Sequence, residues 1–259
     1  MMLLRLFPSA PGCARGCGGG TEAGIYGTIS VNRFLMKNHL KSFVGVGLLA
    51  FTFACSSPQS ADAQNPPRST TGFAPANLTG LATATFAGGC FWAQEEAFEQ
   101  LKGVKQVVSG YAGGTKANPT YEEVADKTTG HTETVQIYYD PKVISYQKLA
   151  DVFFTASHDP TQLNGQGPDA GPEYRSAAFY RTPEEKKSLE ATIAKVNTSK
   201  VYGAKVVTEV VPFRKFWPAE DYHQGYYRLH PENPYIGSVS APKVEHVREA
   251  FASDLKNPL

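Results

Sequence analysis

From residue 82 onward the chain alternates short apolar runs with segments of helical spacing. The run Ala82 to Ala87 predicts a buried strand, ended by Gly88-Gly89. Residues 90–102, CFWAQEEAFEQLK, set Cys90, Ala93, Ala97, Phe98 and Leu101 on one face, with Glu95, Glu96 and Glu99 mostly elsewhere. That spacing predicts an amphipathic helix, and Gly103 is its natural stop. Val104 to Tyr111 predicts a second strand and Ala112-Gly113-Gly114 a turn. His131 to Tyr139 alternates, so His131, Glu133, Val135, Ile137 and Tyr139 share one face of a third strand. A short helix over Ser145 to Thr155 and a glycine-marked loop lead to a fourth strand, Tyr174 to Tyr180. Thr182-Pro183-Glu184-Glu185 combines a cap, a first-turn proline and a carboxylate three residues after the cap, predicting a helix to about Val196. Lys205 to Val211 predicts a fifth strand; a short helix near Asp221, a coil and a final helix over Val244 to Phe251 follow. The order β-α-β-β-α-β with additions predicts an α/β, ferredoxin-like two-layer sandwich: a mostly antiparallel sheet, packed helices and a long C-terminal coil.

The residues before this pattern differ in kind. From Met36, Lys37 and Lys41 form a positive region, Phe43 to Ala54 is apolar, and Ala61-Asp62-Ala63 has the small-x-small form of a signal-peptidase site. We therefore expect 1–63 to be a leader, with Met36 an alternative start, and a periplasmic or secreted product beginning at Gln64. A lipid anchor at Cys55 is the alternative, although Thr52-Phe53-Ala54 is a poor lipobox. Residues 64–80, with repeated Pro and Gly, read as a linker, and 81–259 as the folded domain.

Composition narrows the function classes. In 259 residues, 41% are hydrophobic and 25 Lys and Arg face 24 Asp and Glu, so no basic field exists to hold nucleic acid. Fifteen Phe and 13 Tyr exclude disorder for most of the chain. The leader holds Cys13, Cys17, Cys55 and all of Met1, Met2 and Met36, so cleavage leaves Cys90 as the one cysteine and no methionine. An intramolecular disulfide is then impossible, and a monomer is expected.

Cys90 follows two glycines and opens a helix, where unpaired N–H groups and the dipole favour a thiolate; the alternative is a buried, inert cysteine. Glu133, on a face with Val135 and Ile137, reads either as a desolvated proton donor or as a solvated edge carboxylate. His131 brings in a Cys/His pair or half a metal site, but no second ligand pair has metal spacing, and no metal is expected. Phe91 and Trp92 read as walls of a small apolar pocket or as ordinary core aromatics. Tyr121 and Tyr174 read as donors to a substrate oxygen or as structural tyrosines.

Together these residues resemble a known family. Gly89-Cys90-Phe91-Trp92 resembles the GCFW signature of methionine sulfoxide reductase A. The later blocks agree in order: Tyr121-Glu122-Glu123-Val124, Gly130-His131-Thr132-Glu133, His158-Asp159-Pro160-Thr161-Gln162, Gln166-Gly167-Pro168-Asp169, Glu173-Tyr174-Arg175-Ser176, Tyr222-His223-Gln224 and Pro242-Lys243-Val244. They span Ala82 to Phe251. The resemblance implies reduction of the S epimer of methionine sulfoxide, free or in proteins, with no cofactor. Cys90 would be the nucleophile and Glu133 the acid; Tyr121 and Tyr174 would bind the sulfoxide oxygen, Phe91 and Trp92 the S-methyl group, and Asp169 would support the pocket. Thiolate attack on sulfur pushes charge onto oxygen, which must be protonated to leave, and Cys90 ends as a sulfenic acid.

Two departures stand out. Pro168 replaces the asparagine that many relatives have before the loop aspartate. Relatives commonly carry resolving cysteines in the C-terminal coil, where this chain reads Asn233-Pro234-Tyr235-Ile236-Gly237. The expected reductant is therefore an external thiol, from a thioredoxin-like or glutaredoxin-like partner. A thiol peroxidase, or a non-catalytic binding protein for oxidised methionine, would differ in releasing no methionine from a chiral sulfoxide.

Overall fold

The computed structural model describes residues 77–257. The expected leader and cleavage site, Cys55 and most of the expected linker lie outside the described residues. The elements in order are β1 (Ala82–Gly88), α1 (Phe91–Glu99), β2 (Val104–Ala112), α2 (Tyr121–Ala125), β3 (Thr132–Tyr139), α3 (Tyr146–Val152), β4 (Gly165–Gln166) and β5 (Asp169–Ala170). Then come β6 (Ser176–Tyr180), α4 (Pro183–Ser199), β7 (Glu209–Pro212), β8 (Phe216–Pro218), α5 (Tyr226–Leu229) and α6 (Ala241–Ala250).

Six strands form one sheet in the order β7-β6-β1-β3-β2-β8. The centre, β6-β1-β3-β2, is antiparallel throughout, β8 joins β2 antiparallel, and β7 lies parallel to β6 after the α4 crossover. This is an α/β fold on a mixed sheet, larger than the ferredoxin-like expectation. Two-residue periodicity sends Val135, Ile137 and Tyr139 into the core beneath the helices, with Phe86, Phe98, Leu101, Tyr111, Phe153, Phe154 and Leu189. Burying each such large side chain stabilises by about 1.5–3 kcal/mol. The opposite face carries smaller clusters, among them Val108, Tyr138 and Phe216.

Several expectations need correction. Only Glu209–Pro212 of the predicted fifth strand pairs; Val206 and Val207 instead donate their N–H groups to Asn197 Oδ1 and Pro160 O. Tyr174 is not in a strand but ends a 3-10 turn, Pro172–Tyr174. The third helix becomes a π-turn over Phe153–Ser157. Much of the expected C-terminal coil is a series of helical turns.

The largest surprise in α1 is Glu95, expected away from the core but only 4% exposed. Ser109 Oγ donates to its Oε2 at 2.6 Å and Gly225 N donates to Oε1 at 2.7 Å. Gln224, next in the chain, accepts from Ser109 N and donates to Ser109 O, both at 3.0 Å, so a side chain continues the ladder where β8 ends. Glu95 and Gln224 thus fasten the C-terminal segment to α1 and β2. Burial pushes the Glu95 pKa up to about 7. A raised carboxyl pKa favours the fold below its unfolded value, and that contribution is lost as pH rises through about 7. Glu95→Gln keeps the acceptor for Gly225 and never ionises, so its melting temperature should fall less steeply than wild type between pH 5 and 8. Parallel thermal melts across that range check this; identical slopes would mean that Glu95 does not titrate there.

Candidate active site

The turn before α1 depends on Gly89. Its φ is +83°, and a Cβ there would lie 2.6 Å from Gln166 Cβ, so glycine is required both for the backbone and for the close approach of β4. The turn leaves Cys90 as the N-cap of α1, a free thiol 5% exposed. Opposite it, β3 alternation turns Glu133 toward the helix, where its Oε2 accepts from Phe91 N at 3.0 Å. Glu133 is 3% exposed, so its carboxyl is desolvated and does not sit at a solvated strand edge. Burial raises its pKa to about 8, with Asp169 and Glu173 adding to the rise and the Phe91 N–H and Lys243 opposing it.

The thiol departs from the expectation of a helix-lowered pKa. Burial and the neighbouring Glu133 carboxylate push the Cys90 thiol up, against the Trp92 N–H, the Tyr235 hydroxyl and Lys243. Desolvation outweighs the helix terminus here. The pocket thus favours two neutral groups, a thiol and a carboxylic acid.

The aromatic residues divide by depth. Phe91 is 1% exposed and packs on Tyr111 and His223, with ring centroids 6.0 and 4.9 Å away. Trp92 is half-buried; it stacks on Tyr226 at 3.9 Å, meets Tyr235 edge-on at 5.9 Å, and donates from Nε1 to His223 Nδ1 at 3.2 Å. Its ring is thereby held on both sides by the C-terminal segment that Glu95 and Gln224 fasten.

Tyr121 opens α2, whose start is set by a capping box between Thr120 and Glu123 and by a hydrogen bond from Tyr121 N to Glu220 Oε1 at 3.1 Å. Tyr174 comes from the turn that Thr132 Oγ1 ties to β3 through Glu173 O at 2.7 Å. Burial raises both phenols, Tyr121 to about 12, with Glu133, Cys90 and Asp169 as shared electrostatic neighbours. Asp169 begins β5 after the two-residue Gly167-Pro168 turn, in which glycine takes φ +66° ahead of proline. Pro168 is accommodated there, and Asp169 Oδ2 accepts from Tyr235 Oη at 2.6 Å. Cys90, Glu133, Phe91, Trp92, Tyr121, Asp169 and Tyr174 are therefore gathered at one end of α1.

The histidines have other work. His131 Nδ1 accepts from Gly114 N at 3.1 Å and its Nε2 meets Lys116 O at 2.7 Å, so both nitrogens are committed to the β2–β3 connection and neither serves Cys90. His158 bridges Phe153 O and Ser176 Oγ, and burial drops its pKa to about 4. Among the described residues, no group of three His, Cys, Asp or Glu is placed to hold a metal.

Sequence reasoning missed Tyr235, His223, Tyr226 and Lys243. His223 and Lys243 stood inside quoted motif blocks without an assigned role, and Tyr235 lay in the segment noted only for lacking cysteine.

Comparison with known proteins agrees with this geometry. The profile of the peptide methionine sulfoxide reductase family matches residues 82–255. The peptide methionine sulfoxide reductase MsrA of Thermus thermophilus is 50% identical over 173 residues, covering 67% of this chain and 97% of that protein. That of Ralstonia nicotianae is 48% identical over 180 residues, covering 68% and 94%. Among solved structures, reduced Mxr1 from Saccharomyces cerevisiae superposes with a TM-score of 0.56 at 32% identity, over 61% of this chain and 90% of that one. The methionine sulfoxide reductase A of Corynebacterium diphtheriae gives 0.53 at 33%, over 59% and 76%. The thiol and carboxylic acid at the head of α1 thus sit in a matching sequence and a matching fold, and the chain belongs to the peptide methionine sulfoxide reductase A family.

Proposed function

We propose that this family member, a peptide-methionine (S)-S-oxide reductase that returns methionine S-sulfoxide to methionine, works through a single cysteine. The observation that carries this reading is the buried Glu133 carboxyl, protonated up to about pH 8, at the helix terminus that Cys90 caps. The Cys90 sulfur attacks the sulfoxide sulfur while Glu133 protonates the oxygen, with Tyr121 and Tyr174 donating to that oxygen. Phe91 and Trp92 hold the S-methyl group, and Asp169 orients the donors through Tyr235. The oxygen passes to Cys90, so thiol plus sulfoxide becomes sulfenic acid plus thioether; methionine leaves as the thioether, and Glu133 regains the proton that Cys90 gave up on ionising. The β6-β1-β3-β2 centre serves as a ferredoxin-like scaffold that keeps α1 and β3 in register.

Recycling falls to an external thiol, which condenses with the sulfenic acid to a mixed disulfide that a second thiol resolves. A thioredoxin-like or glutaredoxin-like protein supplies both. The leader-like residues 1–63 support export, with cleavage after Ala63 as the first form and a lipid on Cys55 as the other; oxidised proteins or free methionine sulfoxide are then met outside the cytoplasm.

The test uses the chain beginning at Gln64 and the S epimer of a methionine sulfoxide peptide without reductant. One equivalent of methionine per protein is expected, with a sulfenic-acid probe on Cys90, and many turnovers once dithiothreitol is added. Equal use of the R epimer, or no methionine beyond background, would overturn the reading.

A further inference from the structure

Lys243 is the charged group at this site that the mechanism above leaves unused. It lies in the first turn of α6 and is only 9% exposed, an unusual position for an ammonium group. Its Nζ has no hydrogen-bond partner and forms no ion pair among the described residues. It packs against the turn that carries the thiol: Nζ lies 3.8 Å from where a Cβ on Gly89 would stand, one residue before Cys90. A buried cation left without a partner is costly, and such a group is retained where a charge forms opposite it.

The surroundings show which charge that is. From β3, Glu133 is an electrostatic neighbour of both Cys90 and Lys243, and from β5 Asp169 is one of Lys243; Tyr121 and Tyr174 lie in the same field, the Tyr235 hydroxyl donates to the Cys90 sulfur, and His158, behind Gly88, is kept neutral by burial. Burial lowers the Lys243 pKa, and Cys90 is the first of the groups that hold it up, ahead of Asp169 and Glu133. Asp169 accepts from Tyr235 and Glu133 from Phe91 N, while the Cys90 sulfur meets the Trp92 N–H and the Tyr235 hydroxyl, with Lys243 as the cation among its electrostatic neighbours.

We propose that Lys243 is the positioning cation of the nucleophile: its buried ammonium supplies the positive charge against which Cys90 ionises and attacks. It acts through Cys90 without touching substrate, and the proposal rests on Cys90 being the nucleophile. It also accounts for how a pocket with two carboxyl groups beside a desolvated thiol yields a thiolate at all.

The readout is alkylation of Cys90 by iodoacetamide, followed by peptide mass spectrometry on the full chain between pH 7 and 9.5. Iodoacetamide is uncharged and reacts with thiolate, so its rate reports the ionised fraction, which changes about tenfold per unit of thiol pKa. Lys243→Met, similar in length and uncharged, should alkylate at least about tenfold more slowly at each pH, whereas Lys243→Arg should stay within about threefold of wild type. In the sulfoxide assay the loss should fall on kcat and leave KM nearly unchanged. Wild-type alkylation rates in a Lys243→Met protein with a wild-type melting curve would overturn the proposal. If Lys243→Met does not melt cooperatively, Lys243→Gln is read in its place against the same threshold. Failure of the underlying reading looks different: Cys90 alkylation would follow Lys243 as expected, while methionine release would be indifferent to Cys90 itself.

Discussion

Cys90→Ser is expected to release no methionine above background from an S-sulfoxide peptide, even with excess dithiothreitol. The hydroxyl is a far poorer nucleophile toward sulfur than a thiolate, and no other sulfur stands at the head of α1, since Cys90 is the free cysteine there. The substitution is also gentle on the fold. Cys90 occupies the N-cap of α1 and makes no side-chain capping hydrogen bond, while serine is among the preferred N-cap residues. The variant should therefore melt at or slightly above the wild-type temperature, which separates lost chemistry from lost structure. Chromatographic separation of the reduced from the oxidised peptide, together with a thermal melt, decides it. Measurable turnover by a folded Cys90→Ser protein would remove Cys90 from the nucleophile's role.

How far this site could be read before the structure depended on whether its groups were set by local periodicity. The alternation through β3 was enough to put Glu133 on the face of Val135 and Ile137, and hence under α1. Helical spacing likewise placed Cys90 at the start of α1. The direction of the thiol pKa was not accessible in the same way. The helix terminus can be read from sequence, but the burial that outweighs it is a product of the tertiary fold, which leaves Cys90 only 5% exposed. Glu95 shows the same limit: by spacing it belongs with the exposed glutamates, and it is buried because Ser109 and Gly225 supply donors across 14 and 130 residues of chain.

The misjudged elements were short ones, whose existence rests on neighbours more than on their own residues. β8 spans Phe216–Pro218, and its proline is tolerated because it lies at the sheet edge. β7 pairs over four residues beside β6, while the valines before it are drawn off by α4 and the Pro160 loop. A usable signal did exist for α2: Thr120 followed three residues later by Glu123 is a capping box, and both of its hydrogen bonds form. Five residues give too little periodicity to draw attention to it. The family blocks carried the rest, because their order tied segments together that no local pattern connects.

Glu133→Gln should cost about 10²–10⁴ in kcat, the usual worth of a positioned general acid. Glutamine is the informative replacement because its carbonyl can still accept from Phe91 N, so the head of α1 and the pocket keep their shape. What is lost is the proton. In the wild-type protein Glu133 is protonated below about 8, so its contribution is present at neutral pH and declines as pH rises through that value. The thiol works in the opposite sense, since its ionised fraction grows with pH. Because the thiol titrates above Glu133, their product gives a rate that rises from acid pH and levels off above about 8, where the loss of protonated Glu133 offsets the gain in thiolate; the two steps belong to the coupled pair. In Glu133→Gln the levelling near pH 8 should disappear, leaving a low rate that goes on climbing with pH as Cys90 ionises. KM should change little, because the carboxyl acts on charge that develops only in the transition state. The measurement is kcat and KM for a chiral S-sulfoxide between pH 5 and 10 in both proteins. A levelling near pH 8 that persists in Glu133→Gln would assign it to another group, and wild-type rates would end the role of Glu133 as the acid.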